Sequence, residues 1–557
     1  MIKGIGASPG IALAKALIVK NDEITINRKT ISNIDEEINK FKESIVLSKN
    51  DLLLMKDKVA KEIGESEAEI FEMHIMLLED DCLNTEVIDM ISNEMCNAEF
   101  ALHTIAQNHI DLFESMDNEY MRERAADIRD ISQRTIRHIL GVKTVDLSNL
   151  SEDVILIAED LTPSDTASMD KARVLGFITK VGGRTSHTAI MARTLETPAI
   201  VGCGEAIDGI KDGDLVAING ETGIIEVNPS DLLVKTFNLM KKEQEEHKLM
   251  LKEFKGKKTV SLDGRHVELA GNIGSPADID ALLNHDAEGV GLYRTEFLYM
   301  NKEDGFPTEE EQFDAYKQVL EAMNGKPVII RTLDIGGDKT LPYFKIAEEM
   351  NPFLGYRAIR LCLDRKDIFK TQLRALYRAS VYGKLRIMFP MISSLEELLQ
   401  VKEICEEVKM ELKSENISYS NNIEIGIMIE VPSAAIMSDI LAKHVDFFSI
   451  GTNDLIQYTC AVDRMNEKVS YLYNQLNLGV LRLIKMVIDN AHKEGKWVGM
   501  CGEAAGDIQM TELLLGMGLD EFSMSPASIL QARKLISETS YEKANEIANK
   551  LLKNGVL

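Results

Sequence analysis

The chain has 557 residues, 45% hydrophobic and 27% charged, which is too long for one hydrophobic core and ordinary for a globular protein of two to four domains. Its formal net charge of −27 excludes nucleic acid and anionic membrane as principal partners, since both are gripped by Lys and Arg, and suits a basic protein or small anions gathered by local arginines. There is no charged stretch leading into an apolar core at the start and no apolar run of about 20 residues. Neither a signal peptide nor a membrane span is therefore expected, and seven scattered cysteines without a CxxC point to a reduced, cytoplasmic protein.

Residues 1–20 read as a strand pair, over 2–5 and 12–19, joined at a Ser8-Pro9-Gly10 turn. From about Asn33 the pattern changes: Ile34, Ile38, Phe41, Ile45, Leu52, Met55 and Val59 recur at helical steps among polar residues. Helical patterning continues through 68–78, 80–96, 98–116 and 118–140, which predicts a helical bundle inserted over 21–143. Its acidic runs, Glu65 to Glu69 and Glu79-Asp80-Asp81, are either solvated helix faces or a docking surface for a basic partner. Short apolar runs then alternate with Gly, Pro and Asp turns up to 227, a compact α/β domain assembled from 1–20 and 144–230. Residues 231–256 are charged with sparse apolar positions and read as an exposed linker helix ended by Gly256.

Inside the α/β domain a strand-like run over 176–181 stops at Gly182-Gly183. A polar turn follows, then a helix running towards Thr197-Pro198, where the restriction on a residue before proline should end it. Ser186 is the expected N-cap, which places His187 in the first turn, where unpaired N–H groups and the helix dipole favour an anion. His187 there either accepts a phosphoryl group or merely caps and packs.

From 257 to 557 eight strand candidates alternate with helices: 267–273, 289–293, 327–333, 386–391, 424–429, 446–450, 497–500 and 521–524, the last being the weakest. This predicts a (β/α)₈ barrel, whose chemistry sits where strands end at the C-terminal face. Unusual polar residues gather there: Arg294 and Glu296, Arg331 and Asp334, Glu430, Asn453 and Asp454, Cys501 and Glu503. Glu430 and Asp454 end neighbouring strands and can share a hard cation; without a nearby Cys or His pair, Mg²⁺ fits better than zinc. Arg294, Arg331 and Arg464 offer forked donors for a phosphate and a carboxylate, and Arg357 is either a fourth or a structural ion pair. The substrate class is then a small phosphorylated carboxylic acid. Cys501 is either a buried small hydrophobe or an acid that moves a proton on carbon. Because His187 lies outside the barrel, the linker is expected to let its domain move between the barrel mouth and a partner on the bundle.

The runs 182–188, 291–298, 331–339, 351–360, 448–455 and 501–503 resemble, essentially end to end, Enzyme I of the bacterial phosphotransferase system, the phosphoenolpyruvate–protein phosphotransferases. Pyruvate phosphate dikinase and phosphoenolpyruvate synthase carry a similar histidine motif, but runs 71–80 and 123–130 of the insert look like Enzyme I specifically. The resemblance implies a swivelling phosphohistidine α/β domain, an HPr-binding helical insert, and a barrel that binds phosphoenolpyruvate and joins a homodimer. It implies that phosphoenolpyruvate phosphorylates His187 on Nε2 with Mg²⁺, releasing pyruvate, and that the group passes to a histidine of the carrier HPr as the first step of sugar uptake. Arg294, Arg331, Asn453, Asp454 and Arg464 would then hold the substrate, Glu430 and Asp454 the metal, and Cys501 would protonate the enolpyruvate carbon. Thr166, otherwise an ordinary turn residue, matches the threonine that bonds the other imidazole nitrogen. Cys460 and Ala504 depart from the family pattern, where leucine and methionine are expected, and change packing beside the site. A dikinase or synthase would need an ATP-binding module; no GxxxxGK[ST] loop occurs, and the assigned regions leave no residues for one.

Overall fold

A computed structural model gives the fold; it describes residues 1–19, 26–62, 65–114, 119–141, 147, 150–161, 169–170, 172–183, 186–195, 197–300, 302, 305–337, 339, 341, 343–344, 346–347, 349–464, 466 and 468–555. The chain divides into two units, Met1–Lys248 and Leu249–Leu557. Among the described residues no helix is long and apolar enough to cross a membrane.

In the first unit one sheet holds β1 (Ile2–Lys3), β2 (Ile5–Ser8), β3 (Ile11–Val19), β4 (Val154–Ala158), β5 (Val174–Thr179), β6 (Ala199–Val201), β7 (Leu215–Asn219) and β8 (Ile224–Val227). Its order is β1-β8-β7-β3-β4-β5-β6-β2, which corrects the expected strand pair at the start: none of the first three strands bonds another. β1 pairs with β8, β2 with β6, and β3 lies between β4 and β7. The Ser8-Pro9-Gly10 turn therefore carries the chain from an edge to the sheet centre instead of closing a hairpin. β1 and β2 form the two edges yet only Gly4 separates them, so the sheet curls until its edges meet. Gly4 has no room for a side chain, since a Cβ would come within 2.6 Å of Cys203 Sγ and Ile200 Cγ2.

Between β3 and β4 in chain order come α1 (Ile34–Glu62), α2 (Glu65–Leu78), α3 (Asp81–Glu94), α4 (Ala98–Glu114) and α5 (Glu119–Leu140). The apolar stripe read from Ile34 onward turns inward over two clusters: Ile34, Ile38 and Phe41 pack with Val87, Ile91, Leu102 and Ile136, and Leu52 and Met55 with Phe71. Asp80 starts α3 by accepting the Leu83 N–H at 2.9 Å. α6 (His187–Thr194) covers one face of the sheet, where Ala189 and Ala192 pack against Leu156, Phe177 and Val201. The chain leaves the sheet through α7 (Asp231–Lys252).

The second unit is a closed barrel of parallel strands, β9 (Glu268–Ile273), β10 (Gly289–Arg294), β11 (Pro327–Arg331), β12 (Lys384–Phe389), β13 (Glu424–Ile429), β14 (Phe447–Ile450), β15 (Trp497–Met500) and β16 (Glu521–Met524). The weakest candidate closes it: β16 pairs with both β15 and β9. Leu292, Ile329, Met388, Met428, Phe447 and Cys501 form a packed layer of their own, apart from the larger core between strands and helices. That layer is the platform on which the polar loops stand.

Candidate active site

Every barrel residue expected to act lines one cavity of about 590 Å³: Arg294, Arg331, Glu430, Asn453, Asp454, Arg464 and Cys501. Arg357 and Glu503 line it too, together with Glu296, Asp334, Lys339, Asn272 and Gln475. Strand ends explain the convergence, because β10, β11, β13, β14 and β15 each stop at or one to four residues short of a lining residue.

The organising group is a carboxylate to which the sequence reading gave no role. Glu296 is fully buried and accepts Arg331 Nη2 at 2.8 Å, Lys339 Nζ at 2.8 Å and Arg294 Nε at 3.4 Å. Burial pushes its carboxyl up, but Arg331 and Lys339 outweigh burial and lower it to about 2. Asp334 accepts Arg357 Nη2 at 2.9 Å and pairs with Arg331 Nη1 at 3.0 Å. The same cations hold it well below the usual carboxylate range against its own burial. Arg331 thus bridges two carboxylates, and Arg357 joins this pair to Asp454, 3.5 Å away. The open question about Arg357 has a double answer: it is a structural ion pair and it faces the cavity.

Glu430 goes the other way. Burial, then Asp454 and Asp334, raise its carboxyl to about 8. Its Oε1 accepts the Met391 N–H at 2.6 Å, and Met391 holds a left-handed φ of 57° to aim that donor. Two like-charged carboxyls facing one cavity are what a divalent cation relieves, and an all-oxygen pair suits Mg²⁺. Among the described residues no group of three or more His, Cys, Asp or Glu side chains is arranged to hold a metal, so substrate oxygens and water would complete the shell. Buried donors also await an acceptor: among the described residues Arg331 Nε, Arg357 Nε and Arg464 Nη1 have no hydrogen-bond partner.

Cys501 follows β15 in the apolar layer, and the Ser449 hydroxyl donates to its Sγ at 3.4 Å. Burial pushes its thiol up to about 12, so it carries a proton at neutral pH. Asn453 Nδ2 donates to Glu503 Oε1 at 3.2 Å while the Glu503 N–H donates to Asn453 Oδ1 at 3.1 Å. This reciprocal pair ties the helix Thr452–Cys460 to the short helix Glu503–Gly506 at the cavity rim.

In the first unit β5 ends at Thr179 and Gly182 takes φ 102°, open to glycine. Ser186 is the N-cap of α6, its hydroxyl accepting the Ala189 N–H at 3.4 Å, and His187 is the first helical residue. The Thr188 hydroxyl donates to Asp160 Oδ1 at 3.0 Å and pins the helix start to the loop after β4. The helix stops at Thr194 with Leu195 as its C-cap, three residues before Pro198 is reached from Leu195. Thr166 lies outside the described residues.

Lys339 and Asp334 were within reach of sequence reading, since both stand in the run 331–339 that supplied Arg331. No local signal marks Glu296 as their shared partner, because it lies 35 and 43 residues from Arg331 and Lys339.

Models of PEP-utilising enzymes match the chain in three parts: the N-terminal domain at residues 3–124, the mobile domain at 150–223 and the PEP-binding domain at 248–541. The phosphoenolpyruvate-protein phosphotransferase of Priestia megaterium is 55% identical over 539 residues, 97% of this chain and 94% of that protein. That of Bacillus subtilis (strain 168) is 53% identical over 551 residues, 99% of this chain and 96% of its own. A solution structure of Enzyme I (nEIt) is 46% identical and covers 44% of this chain and all of its own, with a TM-score of 0.40. A PEP-binding model that takes in more than half of the residues, and relatives aligned over nearly their whole length, give one answer: the chain belongs to the phosphoenolpyruvate-protein phosphotransferases, the Enzyme I members of the PEP-utilising enzymes.

Proposed function

We propose that this chain moves the phosphoryl group of phosphoenolpyruvate to His187 and from there to a histidine of the carrier HPr, releasing pyruvate. The observation that carries the reading is the barrel cavity, where arginines with unspent donors, the raised Glu430 carboxyl beside Asp454 and a protonated thiol meet. Arg294, Arg331 and Arg464 hold the phosphate and carboxylate of the substrate, and Asn453 and Asp454 line its remaining edge. Arg331 is already fixed by Glu296 and Asp334, so little reorganisation is needed when substrate arrives. Glu430 and Asp454 would hold Mg²⁺, which when bound neutralises charge on the phosphoryl oxygens. His187 Nε2 forms the N–P bond as the bridging P–O bond breaks, leaving enolpyruvate. Cys501 gives its S–H proton to the terminal carbon, the C–H bond forms, and pyruvate results. The motif assigns Thr166 to the second imidazole nitrogen.

The domain reading that goes with this reaction is a phosphohistidine domain of 1–20 with 144–230, an HPr-binding bundle of 21–143, a linker of 231–256 and a barrel of 257–557 through which a cytoplasmic homodimer forms. Full-length protein incubated with labelled phosphoenolpyruvate and Mg²⁺, without nucleotide, should gain an acid-labile phosphohistidine that chases onto HPr. His187→Ala should take up no label. Label that appears only with ATP would make the chain a dikinase relative instead.

A further inference from the structure

Beneath the mouth, the barrel interior carries charged groups that the reaction above leaves unused. Glu521 on β16 is 1% exposed, and among the described residues neither carboxyl oxygen has a hydrogen-bond partner. Two glycines make its room: a Cβ on Gly291 would run into Glu521 Oε1, and one on Gly499 into Oε2. The parallel register sets Glu521 beside Glu268 on β9 and beside Gly499 on β15, all on the inward face. Burial, then Glu268, pushes the Glu521 carboxyl far above the usual range, and Arg386 opposes this too weakly to reverse it. Arg386 is committed elsewhere: its Nε pairs with Glu424 Oε2 at 2.8 Å, its guanidinium lies over the Trp497 ring, and Glu268 Oε1 is 3.9 Å from Nη1. Buried and beside a second carboxyl, the floor carboxyl favours its neutral form. It communicates with solvent at the N-terminal end, because the Glu268 and Glu424 side chains are 27% and 37% exposed.

Cys501 stands two residues beyond Gly499 on the same face, roughly 7 Å higher along the strand. Ser449 and Glu521 are the register partners of Gly499 on its two sides, and Ser449 donates its hydroxyl hydrogen to Cys501 Sγ. We propose that Glu521 is the proton reservoir of Cys501, with the Ser449 hydroxyl as the bridge and Glu268 as the route of refilling from the N-terminal end of the barrel. The proposal rests on the reading of Cys501 as the acid. When Cys501 has protonated the carbon, its thiolate takes the Ser449 hydrogen as Ser449 takes the Glu521 proton, so S–H and O–H bonds are restored and Glu521 is left as carboxylate. Glu521 then takes a proton from Glu268, which takes one from solvent. Protons thus enter from the side opposite the mouth that the substrate fills, and pyruvate-to-enolpyruvate conversion runs the same transfers backwards.

The test separates first from later turnovers. Full-length protein, saturating phosphoenolpyruvate, Mg²⁺ and excess HPr are mixed and quenched on the millisecond scale, and pyruvate is counted per site. Glu521→Gln should release its first pyruvate at the wild-type rate, because Cys501 starts protonated. Its steady state should then fall by about tenfold or more, a modest share of what a positioned acid supplies, with KM for phosphoenolpyruvate unchanged. Ser449→Ala should show the same split and carries the test if Glu521→Gln does not fold. Equal slowing of first and later turnovers in a folded variant, or no slowing at all, overturns the relay. Cys501→Ser serves as the separate control: a normal first turnover there would remove the acid role of Cys501 itself, whereas a slow one beside a normal Glu521→Gln would remove only the relay.

Discussion

Glu296 at the barrel mouth and Glu521 on its floor are 0% and 1% exposed, and burial is the largest influence on both. They nonetheless ionise in opposite directions, Glu296 down to about 2 and Glu521 far above the usual range. What differs is the distance to cations. Glu296 touches Arg331 and Lys339 at 2.8 Å each, while Arg386, the guanidinium that acts on Glu521, is paired with Glu424. Glu430 falls between, near Arg331 and Arg357 but also near Asp454 and Asp334, and rises to about 8. Within one barrel, then, buried carboxyls are sorted by their neighbours: cations beside Glu296 favour its charged form, while further carboxyls beside Glu430 and Glu521 favour the neutral one.

Removing a partner at each end should expose that sorting. Glu296→Ala leaves the buried Arg331 and the half-buried Lys339 with a carboxylate missing, and should cost about 3–5 kcal/mol of barrel stability. Urea unfolding followed by fluorescence of Trp497, the single tryptophan, measures it. Glu521→Ala removes an uncharged group that bonds nothing, and should cost less. The reverse order would break the contrast at its base. Arg331→Lys comes next in size: one ammonium cannot span Glu296 Oε1 and Asp334 Oδ2 as the guanidinium does. The loss of one charged hydrogen bond should be about 1.5–3 kcal/mol, seen equally in stability and in weakened phosphoenolpyruvate binding. A variant that binds normally would show that the bridge is structural only.

The sequence was clearest where periodicity or a strand end carried the information. Strand spacing announced the barrel, and polar residues following apolar runs announced Arg294, Arg331, Glu430, Asp454 and Cys501, because parallel strands deliver their C-terminal ends to one face. Ser186 as the cap before His187 was legible for the same local reason. What escaped was pairing over distance. Nothing near Glu296 foretells Lys339, and nothing in the Ser8-Pro9-Gly10 turn says that β2 will bond β6, nearly two hundred residues on, rather than β3. Glu521 was hidden by a different cause. Inside the run 521–524 it reads as a polar flaw in the weakest strand, and the glycines that admit it, Gly291 and Gly499, sit on β10 and β15.

The dependence on pH sharpens the comparison most, because its sign differs at the two ends. Below about pH 4.3 Glu521 is protonated in both folded and unfolded chains and is neutral to stability. Above that value the unfolded chain releases the proton while the folded floor, under burial and Glu268 with Arg386 too weak to compensate, keeps it. Stability then falls as pH rises, by up to about 1.4 kcal/mol per unit until the folded group also ionises. Glutamine has no proton to hold, so the urea midpoint of Glu521→Gln should gain on wild type as pH rises above about 5. Glu296 runs the other way: its folded value near 2 stabilises fully above about pH 4.3, and that contribution is lost as pH falls towards 2. Wild type should therefore lose its lead over Glu296→Gln on acidification. Parallel curves for wild type and Glu521→Gln across pH 5 to 8 would mean that the floor carboxyl ionises as freely as in the open chain, and a proton reservoir beneath Cys501 could not exist.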